Sequence, residues 1–91
     1  MTVLSRAEIL RDAVAILEQQ LGVLSPSSIN EETRFFADLG LASIDAVVLS
    51  EAIQKYYDRP LPFNDLMAEI GRRTDRDLSI GELVSFLSAN L

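Results

Sequence analysis

The chain has 91 residues, 48% of them hydrophobic, with no cysteine and no histidine. That length suits one domain, residues 1–91, with a buried core, and the missing residue types exclude disulfides, thiolate metal sites, cysteine nucleophiles and the commonest general base. A net charge of −6 and a pI near 4.4 repel nucleic-acid phosphates and anionic bilayers, so the expected partners are proteins, with no nucleic acid and no membrane among them.

The opening MTVLSRAEIL lacks a basic stretch followed by an apolar run and a cleavage site, and no apolar run in the chain is long enough to span a bilayer; a cytoplasmic monomer is expected. From Leu4 to Leu21, Leu10, Ala13, Val14, Leu17 and Leu21 recur at three- and four-residue steps and predict a first helix with those residues in its core stripe. Ser5 with Glu8 forms a capping box, Leu4 with Ile9 a hydrophobic staple, and Gly22 a stop.

Val23 to Leu41 carries SPSS and NEET and has no sustained period. A connection of this length needs anchors, and Ile29, Phe35, Phe36, Leu39 and Leu41 are placed to supply them, with a helical turn expected within the loop. A second helix is predicted from Ser43 to Tyr57, ended by the prolines of DRPLP. On a wheel of about 100° per residue, Ala46, Leu49, Ala52, Ile53, Tyr56 and Tyr57 form its core face, which leaves Ile44, Val47 and Val48 on the opposite side with Glu51, Gln54 and Lys55. Three branched aliphatic residues in the first two turns are thus either covered by the long loop or exposed as a docking patch.

Phe63, Leu66, Met67 and Ile70 predict a short third helix stopped by Gly71, and RRTDRD then reads as a solvated connector. The last helix spans Ser79 to Ala89, with capping box Ser79 and Glu82, staple Leu78 and Leu83, and core stripe Leu83, Val84, Phe86 and Leu87. No strand-like alternation competes, so the fold class is all-α, a four-helix bundle with one short helix and one long structured loop.

Ser43 is the residue with two readings. A serine at a helix start is most often an N-cap. The helix N-terminus nevertheless offers unpaired N–H groups and a positive dipole end that favour a phosphate carried there, Gly40 permits a turn that presents the following residues outward, and Asp45 partly opposes the added negative charge. As a nucleophile Ser43 lacks a base: only Lys55 or a carboxylate could serve, and Lys55 lies about three turns away. Asp38, Asp45, Glu51 and Asp58 lack the dense alternation of a calcium loop and read as a solvated acidic face; no metal site is expected.

The stretch DLGLASIDAVVLSEAIQ resembles the signature of the acyl carrier protein family, in which an Asp-Leu-Gly turn, two further residues, a serine, an aliphatic residue and commonly an acid open the second helix. The likeness covers nearly the whole chain, from the amphipathic first helix through ETRFFADLG to DLSIGELVSFL. It implies that a phosphopantetheinyl transferase moves 4′-phosphopantetheine from coenzyme A, with magnesium, onto the Ser43 hydroxyl. The arm's thiol would hold acyl or aminoacyl intermediates as thioesters, so the protein is a phosphoprotein and not an enzyme. The implied partners are that transferase, an acyl- or aminoacyl-loading enzyme and downstream synthase or tailoring enzymes, docking on Asp38, Leu41, Ile44, Asp45, Val47, Val48 and Glu51.

Two positions depart from the family pattern. Ala42 stands where an aspartate usually precedes the serine, and Val48, Gln54 and Lys55 occupy positions that are acidic in fatty-acid carriers. Both departures shift the expectation to a specialised polyketide-like, peptide-like or related pathway, with docking through Ile44, Val47 and Val48 more than through charge. The alternative is an acidic helical interaction module that uses the same patch and is never modified.

Overall fold

Two of the helix starts are fixed by the same short-range chemistry. Ser5 accepts a hydrogen bond from the Glu8 N–H at 3.2 Å while the Glu8 carboxylate accepts from the Ser5 N–H at 3.3 Å, opening α1 (Arg6–Leu21). Ser79 and Glu82 repeat the arrangement, 3.1 Å in each direction, at the start of α4 (Ile80–Asn90). Such boxes satisfy two otherwise orphaned donors each, so both expected starts hold. Between them lie α2 (Ser43–Tyr57) and α3 (Phe63–Gly71). The computed structural model describes residues 4–23 and 28–91; the MTV of the expected leaderless start and the Ser25 to Ser27 part of the SPSS loop motif lie outside them.

The ends of α1 and α2 follow from left-handed residues, whereas α3 includes the expected Gly71 stop and ends at right-handed Arg72, φ −88. Gly22 at φ 64 closes α1, its N–H donating to Glu18 O at 3.2 Å and the Val23 N–H to Leu17 O at 3.4 Å. Asp58 at φ 53 does the same for α2, and the Gln54 side chain then accepts from the Leu61 N–H at 2.8 Å, which turns the chain towards α3.

α1 packs against both α2 and α4. The first helix is therefore covered from two sides, and its buried stripe is Ile9, Ala13, Ile16 and Leu17, rotated from the expected one: Leu10, Val14 and Leu21 sit at the margin of the core. On α2, Ala46, Leu49 and Ile53 are buried as expected and Ala52 and Tyr57 are half-buried, but Tyr56 is 58% exposed. Tyr56 lies along the seam with α1, where its hydroxyl and that of Tyr57 donate to the two oxygens of Asp12 at 3.1 and 2.9 Å. Burial first, and then this hydrogen bond, push the Tyr57 phenol well above its ordinary range. α3 buries Phe63, Leu66 and Ile70, and the Phe63 ring meets Phe86 of α4 with 4.9 Å between centroids.

The long loop is tied to the head of α4. Phe35 N–H donates to Leu78 O, Ile80 N–H to Thr33 O and Gly81 N–H to Glu31 O, all at 2.8 Å. A Cβ on Gly81 would stand 2.9 Å from Glu31 O, so the close approach requires glycine there. Arg6 adds a clasp, donating to Glu31, to Gly81 O at 3.2 Å and to Ser85 Oγ at 2.8 Å. Of the expected anchors, Phe35 and Ile29 are buried, while Phe36, Leu39 and Leu41 pack on the core from its edge. The expected helical turn is present: the N–H groups of Asp38 and Gly40 donate to Arg34 O and Phe36 O at 3.1 and 3.0 Å.

RRTDRD is the solvated connector its composition predicts at Arg72, Thr74, Asp75 and Arg76, which are exposed, but not at Arg73 and Asp77. Asp77, its last residue, is 6% exposed and accepts from three backbone N–H groups, and Arg73 is held by Glu69 at 3.2 Å and Glu82 at 2.6 Å. Charge-rich composition indicates solvent exposure only where no partner exists elsewhere in the fold; for Arg73 and Asp77 the partners come from the loop, from α3 and from the head of α4.

Candidate functional site

The head of α2 differs from the other two capped starts by a shift of one residue. Ala42, at φ −107 and ψ 172, occupies the N-cap position, and Ser43 is the first helical residue. Alanine has no acceptor to offer, so half of the box is missing; the other half is present, with the Ala42 N–H donating to Asp45 Oδ2 at 2.8 Å. Ser43 is thereby relieved of capping. Its side chain is exposed and its hydroxyl makes no hydrogen bond among the described residues.

The backbone donors at this end are also open. The N–H groups of Asp45 and Ala46 donate to Ala42 O at 3.0 and 3.3 Å, whereas those of Ser43 and Ile44 have no acceptor among the described residues. Two free N–H groups at the positive end of a fifteen-residue helix form a favourable setting for a phosphate borne on the adjacent hydroxyl. The turn before it is supplied by Gly40 at φ 67, a conformation that L side chains resist.

Ile44, Val47 and Val48 are 66%, 48% and 36% exposed. The loop therefore does not cover them, and together with exposed Glu51 they fall within about 100° of the helix circumference beside Ser43. The remaining expected docking residues separate from this face. Leu41 is half-buried against the core; Asp45 is half-buried and turned back to the Ala42 N–H; exposed Asp38 accepts from the Arg34 N–H at 2.8 Å and so stabilises the loop turn.

Between α2 and α3 runs an open groove of about 310 Å³, bordered by Val47, Ser50, Glu51, Pro62 and Met67. The apolar interior beneath, walled by Phe35, Leu49, Phe63 and Leu66, leaves only about 10 Å³, about the space of one water-sized probe.

Sequence reasoning missed Asp77. Burial would raise its carboxyl, but the N–H donors of Phe36, Leu78 and Ala37, with the charge of Arg34, outweigh it and hold the group below its ordinary value. Its loop partners lie 40 and 41 residues away in sequence, and no local pattern signals such a pairing.

The chain matches a known family over most of its length. A sequence model of the family described as "Phosphopantetheine attachment site" aligns with residues 11–87. The chain belongs to this family of carrier proteins, consistent with its four helices and the absence of any strand among the described residues. Its cofactor is 4′-phosphopantetheine, covalently attached, and proteins of this kind are generally non-catalytic and interact with transferases and synthase enzymes. Among the described residues no helix is long and apolar enough to cross a membrane.

Proposed function

We propose that residues 1–91 form a single carrier domain whose Ser43 oxygen is the attachment atom. The observation that supports this most directly is the free hydroxyl at the first turn of α2: exposed, without a partner among the described residues, and next to two open N–H groups. In the modification, Ser43 Oγ bonds to the phosphorus of the pantetheine phosphate, the phosphoanhydride bond of coenzyme A breaks, adenosine 3′,5′-bisphosphate leaves, and the hydroxyl proton passes to the transferase or to water. When bound, the arm supplies a terminal thiol that carries acyl or aminoacyl cargo as a thioester.

The rest of the site serves presentation. The Ile44, Val47 and Val48 face is a landing surface for a phosphopantetheinyl transferase, a loading enzyme and downstream synthase or tailoring enzymes of a specialised polyketide-like or related pathway. On that face three exposed apolar side chains stand beside the single acid Glu51, a composition that favours apolar docking over charge steering. The apolar space walled by Phe35, Leu49, Phe63 and Leu66 is only about 10 Å³ in the unloaded protein, which favours cargo carried outside the bundle.

Intact mass after incubation with coenzyme A, magnesium and a broad-specificity transferase tests the proposal. One phosphopantetheine per chain is expected, with none on Ser43→Ala. An unmodified interaction module would gain no mass with any of several transferases.

A further inference from the structure

Asp77 is the one buried charged side chain among the described residues, and the attachment chemistry makes no use of it. Its Oδ1 accepts from the N–H groups of Phe36 at 3.0 Å and Leu78 at 2.8 Å, and its Oδ2 from Ala37 at 3.1 Å. The two loop residues it holds lie seven and six positions upstream of the serine. Phe36 O in turn accepts from the Gly40 N–H at 3.0 Å, and Gly40 at φ 67 leads within three residues to Ser43. On the other side the main chain that carries the carboxylate is itself fixed: Arg73 Nη1 donates to the Asp77 backbone carbonyl at 3.0 Å, and the preceding Arg76 holds a left-handed φ of 50. A non-glycine residue in that region is strained, and the strain is kept where surrounding bonds over-determine it.

We infer that Asp77 is a positioning residue for Ser43: its carboxylate, reaching from the head of α4, holds the turn over residues 34–40 in the one arrangement that presents the attachment serine to the modifying enzyme. The inference rests on the carrier reading above. With the carboxylate in place the turn is ordered before docking. Without it the docking-competent arrangement is only a fraction of the population, and the apparent affinity of the transferase for the carrier falls by that fraction while turnover of the bound complex does not.

The test compares wild type, Asp77→Asn and the double variant Arg76→Gly/Asp77→Asn as substrates of a broad-specificity transferase with coenzyme A and magnesium. Carrier concentration is varied, and amide exchange at Phe36, Ala37 and Leu78 is followed by NMR. An asparagine can still accept at Oδ1 but turns an NH₂ group towards the Ala37 N–H, donor against donor. Glycine at 76 relieves the left-handed strain and compensates stability without restoring the acceptor. In both variants Ala37 should exchange faster than in wild type, and KM for the carrier should rise about tenfold with kcat within about twofold, as expected for a competent fraction near one tenth. The double variant keeps that KM although its unfolding midpoint recovers. A KM that returns to the wild-type value along with stability, or an Ala37 exchange rate that does not change, overturns the positioning role and leaves the carrier reading intact. Wild-type protein that accepts no phosphopantetheine overturns the carrier reading and this inference together.

Discussion

The heads of α1 and α4 and the head of α2 each contain a serine, and the three serines do different work because of one residue of register. Ser5 and Ser79 stand at N-cap, where their hydroxyls accept from Glu8 and Glu82 N–H groups. Ser43 stands one position further in, behind Ala42, and its hydroxyl is left exposed with no partner among the described residues. An alanine at N-cap withdraws a stabilising bond of about 0.5–2 kcal/mol. At the head of α2 that withdrawal frees an oxygen for covalent use, while Asp45 keeps the Ala42 N–H satisfied.

Substitutions at the three serines should separate the two roles. Ser79→Ala should cost about 1–2 kcal/mol in urea unfolding, because the cap it removes also anchors the loop-to-α4 junction, and Ser5→Ala about 1 kcal/mol or less. Ser43→Ala should change stability by less than about 0.5 kcal/mol, the range of an exposed position without contacts. A Ser43→Ala cost comparable to that of Ser79→Ala would mean that its hydroxyl is structural after all.

Restoring the missing cap sharpens the comparison from the opposite side. Ala42→Asp supplies an acceptor to the first turn and should stabilise the protein by about 0.5–1 kcal/mol, while bringing the sequence before the serine closer to the usual family pattern. Val48→Glu should change unfolding free energy by less than about 0.5 kcal/mol, given its exposure, yet impair cargo transfer with a cognate enzyme. Loss of folding in that variant would show that Val48 is covered.

The smallest effect expected is in acid. The Asp77 carboxyl titrates below its ordinary value in the folded protein, so its contribution is fully present above the unfolded value of about 3.9 and is lost as pH falls through the lower folded one. Between pH 5 and pH 3 wild type should therefore lose more stability than Asp77→Asn. Equal losses would show that the three N–H donors do not stabilise the ionised form.

What could be read from the sequence was the chemistry that acts within four residues. The boxes at Ser5/Glu8 and Ser79/Glu82, the Gly22 stop and the span of α2 were legible because donor and acceptor lie three or four positions apart. The exposure of Ile44, Val47 and Val48 was legible as a phase conflict, though not whether the loop would cover them; the loop's backbone partners lie instead at the head of α4, to which Glu31, Thr33 and Phe35 are tied. Ile9 and Ile16 displaced Leu10 and Val14 from the centre of the α1 stripe because α1 is covered from two sides, which a single wheel does not register. Tyr56 left the core for a shared carboxylate 44 residues away, and Asp77 entered it for donors 40 and 41 residues away. Polar pairings over such separations follow from packing, and local pattern carries no trace of them.

The most direct measurement is fragment mapping of the protein after the transferase reaction, reading which oxygen bears the added group. Phosphopantetheine on Ser43, with Ser5 and Ser79 bare, is the result required if register alone releases one serine for attachment. An adduct on any other residue, or none on any, would contradict it.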